Sequence, residues 1–200
     1  MLSFLRVNKM RAIAVEMGMD YMRGIPYREF KYLEVFPLFQ RKHGRRIRHI
    51  LSTYHKHLDA NIDIFDFGHQ AGKSVRWRSV ILVQSGKLGL PQFLMRPSHV
   101  GDKLVEIFSG PDINFELYPR FSKNYTLKGP NEMGIRYLMQ EPLIEFFNDR
   151  PGWHLEGLND MFLLYRKWRR FRPKHMPEIH RMTLEVCELM LKGGGAGGYL

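Results

Sequence analysis

The sequence predicts a single α+β domain in which a mainly antiparallel sheet is covered by three to five helices. Segments with the two-residue period of strands and segments with the helical period occur in clusters rather than in strict alternation, which favours α+β over a doubly wound parallel sheet. The chain has 200 residues, enough for one domain and short for two. Its 44% apolar and 26% charged residues are typical of a globular protein.

The N-terminal region, residues 1–46, is interpreted as a helix followed by an irregular basic segment. Apolar residues at roughly helical spacing predict a helix over 3–17, and Gly18 can end it. Residues 19–46 contain aromatic side chains but show no clear period. We therefore treat 19–46 as a linker or an irregular packing segment.

The α+β domain is expected over residues 47–192. Proline flanks the short segment 92–95 on both sides, at Pro91 and Pro97, which favours an edge strand. Alternating and apolar runs predict strands at 47–54, 61–68, 75–84, 92–95, 113–116 and 125–127, and a hairpin of 153–156 with 161–166 across the turn 157–160.

Three helical regions are expected within this domain. Ser98 is a suitable N-cap for a helix over 98–108. Pro130 suits the first turn of a second helix, which Pro142 is expected to interrupt. Pro177 opens a last amphipathic helix, and residues 193–200 are interpreted as a flexible glycine-rich tail.

A segment that resembles a phosphate-binding P-loop lies at Gly68 to Ser74. It follows an apolar strand and ends in Gly-Lys-Ser. A P-loop has four residues between its glycines and opens a helix. Here three residues separate Gly68 from Gly72, and the clearest strand of the chain follows. The segment is therefore interpreted as a hairpin turn.

Two groups of side chains have the composition of metal ligands. His55 and His57 share one face of a strand, and Asp112, Asn114 and Glu116 alternate with apolar residues. Neither group has a further ligand at a diagnostic spacing, and an ordinary half-buried strand gives the same alternation. We predict no metal site.

Nucleophilic catalysis and redox chemistry find no support in the sequence. The single cysteine, Cys187, cannot form an internal disulfide or a zinc cage, and we expect it to be buried and inert. No Gly-x-Ser-x-Gly motif occurs. We therefore expect a non-enzymatic protein with no catalytic residue, no cofactor and no small-molecule substrate.

The net charge of +11 is concentrated at the two ends of the chain. Residues 1–58 carry +8, residues 59–165 carry −2 and residues 166–200 carry +5. Such asymmetry suggests an acidic partner. Two basic segments supply the candidate polyanion-binding residues, which are Arg41, Lys42, Arg45, Arg46 and Arg48 in the first and Arg166, Lys167, Trp168, Arg169, Arg170, Arg172 and Lys174 in the second.

The sequence leaves three classes of partner open for these segments, and it also allows that they bind no partner. Guanidinium groups pair with phosphates, and aromatic side chains stack on bases or lie at a lipid interface. An anionic lipid surface, a nucleic acid and an acidic protein are therefore all candidates. The plain alternative is a solvated basic loop with Trp168 packed inward. No run approaches the ~20 apolar residues that span a bilayer, and the N-terminus does not have the pattern of a signal peptide, so we expect a cytoplasmic protein.

Several stretches from about residue 60 onward have a recognisable pattern. They are Ile-Phe-Asp-Phe at 64–67, Leu-Pro-Gln-Phe-Leu-Met-Arg-Pro at 90–97, and Asp-Ile-Asn-Phe-Glu at 112–116 followed by Pro119, Phe121, Ser122, Tyr125, Leu127, Gly129 and Pro130. With these residues, and with the hairpin at 153–165 and the basic loop after it, the chain resembles an uncharacterised bacterial protein family. Members of that family often have an N-terminal membrane anchor before this cytoplasmic domain, and this sequence departs from that pattern.

The function that we expect is docking on an anionic surface such as the inner membrane leaflet, with peripheral attachment through the basic segments. A sequence-tolerant nucleic-acid-binding protein that uses the same residues is the alternative. An enzyme ranks third, because no catalytic residue can be named for it.

Overall fold

The computed structural model describes residues 2–40, 43–98, 108 and 111–194. Within these residues it has eight strands and five α-helices, together with two 3₁₀ helices at Tyr27–Val35 and Pro173–His175. In chain order the elements are α1 (Leu2–Met17), β1 (Asp20–Ile25), β2 (Arg46–His55), β3 (Ala60–Ala71), β4 (Ser74–Gln84), β5 (Leu90–Pro97), α2 (Pro119–Asn124), β6 (Tyr125–Lys128), α3 (Glu132–Leu138), α4 (Glu141–Asp149), β7 (Trp153–Asn159), β8 (Met161–Arg166) and α5 (Met176–Gly194).

The strands form one open sheet in the order β1-β2-β3-β4-β8-β7-β5-β6. Every neighbouring pair is antiparallel. The longest strands, β2 to β4, are joined by tight turns, and β4 pairs with the distant strand β8. The predicted α+β class, with one domain and an antiparallel sheet, is confirmed.

Each face of the sheet has its own apolar core. Ile64 and Ile81 belong to the larger core, which the sheet shares with the α-helices. Phe65 and Val80, one residue along each strand, point to the smaller core on the opposite face, beneath the 3₁₀ helix at Tyr27–Val35. Because both faces of these strands are buried in their central parts, apolar residues follow one another there, at Ile64–Phe65 of β3 and at Val80–Val83 of β4, rather than alternating with polar ones.

The segment 19–46 is not a linker. Its first part is β1, which pairs with β2 at Gly24 and Arg48, and its second part is the 3₁₀ helix, whose Phe30 and Leu33 are buried. Helix α1 also packs into the larger core. The chain before residue 46 is therefore part of the same domain as the chain after it. Strand β1 escaped prediction because it lies at an edge and most of its residues are exposed.

Two strand predictions are corrected. Strand β5 is not an edge strand, since β7 pairs with one side of it and the short β6 with the other. Residues 113–116 form no strand. Only the Ile113 N–H reaches the sheet, donating to the carbonyl of Leu127 at 2.8 Å, and the chain then turns. Burial of Ile113 alone produces the alternating pattern that predicted a strand there.

The turn predicted at 157–160 is also wrong, because β7 continues to Asn159. Gly157 lies inside the strand, opposite Phe162. The ring of Phe93, from the neighbouring strand β5, occupies the space where a Cβ of residue 157 would stand. Glycine is therefore required by the close approach of a buried aromatic side chain and not by a turn.

The helices follow the predictions with shifted boundaries. Pro142 opens α4 at its first turn instead of interrupting a helix, and α3 begins after Asn131, whose side chain accepts a hydrogen bond from the Gly134 N–H. Helix α2 was not predicted. The helix expected over 98–108 and most of the tail after residue 193 lie outside the described residues.

The segment from Gly68 to Ser74 forms the hairpin between β3 and β4, as the sequence predicts. Strand β3 runs through to Ala71, and Gly72 adopts a positive φ of 60° in the turn. No helix follows, so the backbone amides of a P-loop are missing here.

Candidate functional site

The two basic segments, more than 100 residues apart in sequence, meet at one end of the sheet. His43 precedes β2, and its carbonyl accepts a hydrogen bond of 2.9 Å from the N–H of Gln70 at the end of β3. On the other side of the hairpin, the carbonyl of Arg169 accepts a hydrogen bond of 2.9 Å from the N–H of Ser79. The β3–β4 hairpin therefore holds both segments beside it.

This region, which we call the basic end, has almost no negative charge of its own. The stretches 43–55, 67–84 and 161–175 contain twelve Lys and Arg residues and no Asp or Glu. The exposed cations of the basic end are Arg46 and Arg48 on β2, Lys73 and Arg76 on the hairpin, and Arg169, Arg170, Arg172 and Lys174 after β8. In such an arrangement the fields of the cations add, so that the surface attracts polyanions.

Three other predicted residues, Arg45, Arg166 and Lys167, are partly buried. Arg166 ends β8, and its guanidinium lies 4.8 Å from the centroid of the Trp153 ring. Lys167 is half-buried, and Lys174 is exposed on the second 3₁₀ helix. Arg45 forms a salt bridge of 2.7 Å with Glu34. Arg41 and Lys42 lie outside the described residues.

The aromatic side chains of the basic end each carry an arginine of this chain on one face. Trp168 is 37% exposed, and the guanidinium of Arg78 lies 4.1 Å from its ring centroid. Arg48 lies 5.3 Å from the ring centroid of Trp77. These cation–π contacts fix the positions of the charges. The ring of Trp168 also lies 5.3 Å from the buried imidazole of His69, so this side chain is partly packed against the domain and partly exposed.

The residue Asp66 joins the second basic segment to the sheet and to α1. Its carboxylate is 1% exposed and accepts hydrogen bonds from Arg6 Nε at 2.7 Å and from Ser79 Oγ at 2.6 Å. Arg6 Nη1 also donates to the carbonyl of Phe171 at 3.0 Å, and the Phe171 N–H donates to Ser79 Oγ at 2.9 Å. The segment 169–171 is therefore attached to the sheet through a largely buried ionic network.

An irregularity of β2 lies next to this network. The register of β2 against β3 shifts between Arg48 and Leu51, and His49 within this bulge has a positive φ of 54°. Burial lowers the pKa of His49, and Arg6, Arg170 and Arg48 lower it further, whereas Asp66 opposes them. The imidazole thus lies within the electrostatic field of both basic segments.

A buried carboxylate in the smaller core was not found by sequence reasoning. Glu156 of β7 is fully buried on the face of the smaller core. It accepts hydrogen bonds from Tyr165 Oη at 2.6 Å and from the Leu38 N–H at 3.2 Å. Burial raises its pKa to about 7, although these two hydrogen bonds and the charge of Arg78 act in the opposite direction.

We expect Glu156 to make stability fall with rising pH. Its pKa is higher in the folded chain than in the unfolded one, so the folded protein binds more protons between about pH 4.5 and 7. The free energy of unfolding, compared with that of Glu156→Gln, should therefore decrease across this range, by on the order of 3 kcal/mol in total, and level off above pH 8. Urea denaturation of both proteins from pH 5 to 8.5 measures this. A difference that does not change with pH would contradict it.

The opposite end of the sheet carries the histidines that sequence analysis weighed as metal ligands. The ring centroids of His55 and His57 are 6.1 Å apart. The nearby carboxylates of Asp59 and Asp63 accept hydrogen bonds from side chains of β2. Tyr54 Oη donates to Asp59 at 2.6 Å, and Ser52 Oγ donates to Asp63. Over the described ranges no group of three or more His, Cys, Asp or Glu side chains has the geometry of a metal site.

Two further observations bear on sequence predictions. Cys187 is buried in the larger core, where burial raises the pKa of its thiol to about 11. The thiol is therefore protonated and unreactive at neutral pH. Among the helices that the structure describes, none combines the length and the apolar character needed to cross a bilayer.

Comparison with known proteins adds a fold relative. No protein-family model matches the sequence, and no curated protein sequence matches it. Among solved structures, the crystal structure of the mycobacterial trehalose monomycolate transport factor A, TtfA, is similar to this chain with a TM-score of 0.61. The alignment covers 92% of this chain and 93% of that chain at 11% sequence identity. At this identity the likeness shows a shared fold over nearly the whole of both chains and nothing more.

Proposed function

We propose that this domain is a peripheral, non-enzymatic module that docks through its basic end on the anionic leaflet of a membrane. The observation that carries the proposal is the meeting of the two basic segments on either side of the β3–β4 hairpin. Each cation near an anionic bilayer contributes about 1 kcal/mol of attraction. The eight exposed cations of the basic end are therefore enough for stable attachment.

The rigidity of the basic end supports attachment to a flat surface. Strands β2 to β4 are buried on both faces, and the network around Asp66 fixes the segment 169–171 to them. A rigid array loses little conformational entropy when it binds. It also presents its charges at one end of β3, a strand of 12 residues that is roughly 35–40 Å long.

The arginines that cover the aromatic rings favour a lipid surface over single-stranded nucleic acid as the partner. Nucleic-acid binders of low sequence preference stack bases on free aromatic faces. Here an arginine of the same chain covers one face of Trp168 and of Trp77, and Arg45 lies 4.3 Å from the ring centroid of Tyr27. The aromatic rings hold these arginines in place. Arg48 is exposed and can still bind a phosphate, whereas Arg78 is buried and Arg45 is paired with Glu34.

The fold relative is compatible with a role at a membrane. By its name, TtfA acts in the transport of trehalose monomycolate. The family resemblance described above, to proteins that often carry an N-terminal anchor, suggests the same location for the present domain. Its own contribution would be to hold a position on the cytoplasmic leaflet.

Co-sedimentation with vesicles tests this proposal. After nuclease treatment the protein is mixed with vesicles of phosphatidylcholine alone or with 30 mol% phosphatidylglycerol, at ionic strengths of about 0.05 and 0.5 M. We expect binding only to the anionic vesicles and loss of binding in high salt. A nucleic-acid-binding protein would instead copurify with nucleic acid before nuclease treatment and ignore both kinds of vesicle. That pattern would overturn the proposal.

A further inference from the structure

A cleft beside the basic end is lined by four arginines. It lies between the edge strand β1 and the start of β2 and has a volume of about 490 Å³, within the range of small-molecule sites. Its polar lining comprises Arg23 from β1, Arg45, Arg46 and Arg48 from β2 and its approach, and His49 from the bulge. Arginines that line one cleft repel one another, and an anion bound among them relieves that repulsion.

The partners of these arginines show which of them are available. Arg45 is held by Glu34, by the carbonyl of Phe39 at 3.0 Å and by the Tyr27 ring, so it forms a fixed wall. In the part of the chain that the structure describes, no carboxylate lies within salt-bridge distance of Arg23, Arg46 or Arg48. All three belong to exposed residues, but the guanidinium of Arg48 lies over the Trp77 ring of β4, on the side of β2 away from β1. Arg23 and Arg46 are therefore the available arginines of the cleft.

The floor of the cleft is formed by backbone. Gly24 lies there, and a Cβ at this position would stand 2.9 Å from the carbonyl oxygen of Ile47, so no larger residue fits without a shift of the strands. Behind it, His49 Nδ1 and Tyr21 Oη lie 3.0 Å apart and hold the bulge in shape. The cleft is therefore preformed rather than assembled from mobile side chains.

The number of uncompensated arginines matches a particular anion. A phosphodiester has one charge and two free oxygens, whereas a phosphomonoester has up to two charges and three free oxygens. Each guanidinium can form two parallel hydrogen bonds with neighbouring phosphate oxygens. Two available arginines, Arg23 and Arg46, and a third on the wall, Arg45, suit the three oxygens of a monoester better than the two oxygens of a diester.

We propose that this cleft binds the phosphomonoester headgroup of a membrane lipid, so that the domain prefers such lipids over phosphodiester lipids at equal surface charge. The inference rests on the proposed docking function, because the basic end would bring the cleft to the headgroup layer. The basic end then supplies attraction that is independent of headgroup type, and the cleft supplies selectivity.

Vesicles of matched zeta potential that contain either phosphatidate or phosphatidylglycerol test this. We expect the wild-type protein to bind phosphatidate vesicles at least about tenfold more tightly. The variant Arg23→Ala/Arg46→Ala should bind both kinds of vesicle equally. The matched control Arg169→Ala/Arg170→Ala removes the same charge from outside the cleft and should weaken binding to both while the preference persists. Millimolar glycerol 3-phosphate should compete with phosphatidate vesicles and leave phosphatidylglycerol binding unchanged.

The outcomes separate the two proposals. Equal binding of the wild type to the two anionic vesicles, or a preference that survives Arg23→Ala/Arg46→Ala, would overturn the headgroup site and leave membrane docking intact. Binding to neither anionic vesicle would overturn docking itself. If inorganic phosphate bound at micromolar concentration in a manner that depends on Arg23 and Arg46, without any preference among vesicles, the cleft would be a site for a free phosphate and the lipid assignment would be wrong.

Discussion

Replacement of Arg169, Arg170 and Arg172 by glutamate is expected to weaken binding to anionic vesicles by at least a hundredfold. All three side chains are exposed on the segment that lies beside β4. Loss of about 1 kcal/mol for each cation corresponds to a factor of about one hundred, and the repulsion of the new carboxylates adds to it. Titration of the variant with phosphatidylglycerol vesicles at low salt measures the change.

A control variant with the same net charge shows whether the position of the replaced cations matters or only the net charge of the protein. Lys56 and Lys87 lie in turns at the opposite end of the sheet, and Lys123 lies on α2. Their replacement by glutamate also lowers the net charge by six from its value of +11. We expect this control to retain most of the vesicle binding. If both triple variants lost binding equally, attraction would depend on net charge alone, and the basic end would have no special role.

Removal of the Asp66 carboxylate is expected to lower the free energy of unfolding strongly. Asp66→Ala leaves Arg6 and Ser79 without their acceptor in a largely buried site. Breaking a buried ion pair in this way typically costs about 3–5 kcal/mol. The substitution also weakens the attachment of residues 169–171, because the Ser79 hydroxyl, which accepts a hydrogen bond from the Phe171 N–H, then lacks the partner that orients it. Urea denaturation at pH 7 measures the free energy of unfolding.

The exposed ion pair between Glu132 and Arg136 on α3 provides the matched control. It joins two side chains at 2.7 Å, but both are about half exposed. Surface pairs at this helical spacing contribute roughly 0.3–0.5 kcal/mol. Glu132→Ala should therefore have a small effect. If Asp66→Ala were no more costly than Glu132→Ala, the network would not be what attaches the basic segment to the sheet.

The parts of the fold that could be predicted are those with a strong local pattern. The apolar run of β4 and the stripe of α5 specify their elements without tertiary information. Strand β1 could not be predicted, because its exposed residues carry no period and it exists only through pairing with β2. Gly157 was taken for a turn residue because the reason for it, the ring of Phe93, lies on another strand.

The candidate site also has features that the sequence predicts and features that depend on tertiary contacts. Composition identified both basic segments, but their meeting depends on backbone hydrogen bonds between residues far apart in the chain, such as Ser79 to Arg169. Glu156 gave no signal either, since a single carboxylate in a hairpin strand is expected to face solvent. Its burial depends on the N–H of Leu38, 118 residues away in sequence. The cleft between β1 and β2 was missed together with β1 itself.

The measurement that tests the central claim most directly asks which end of the sheet touches the membrane. A polarity-sensitive maleimide dye is attached to Lys73→Cys at the turn between β3 and β4, or to Lys56→Cys at the turn between β2 and β3. The two variants lose the same charge. The native Cys187 is buried and protonated, so it does not compete for the dye.

On addition of phosphatidylglycerol vesicles at low salt, we expect the dye at residue 73 to report a less polar environment and the dye at residue 56 to stay unchanged. High salt should reverse the first signal. Equal signals from both positions, or a signal from residue 56 alone, would contradict docking through the basic end.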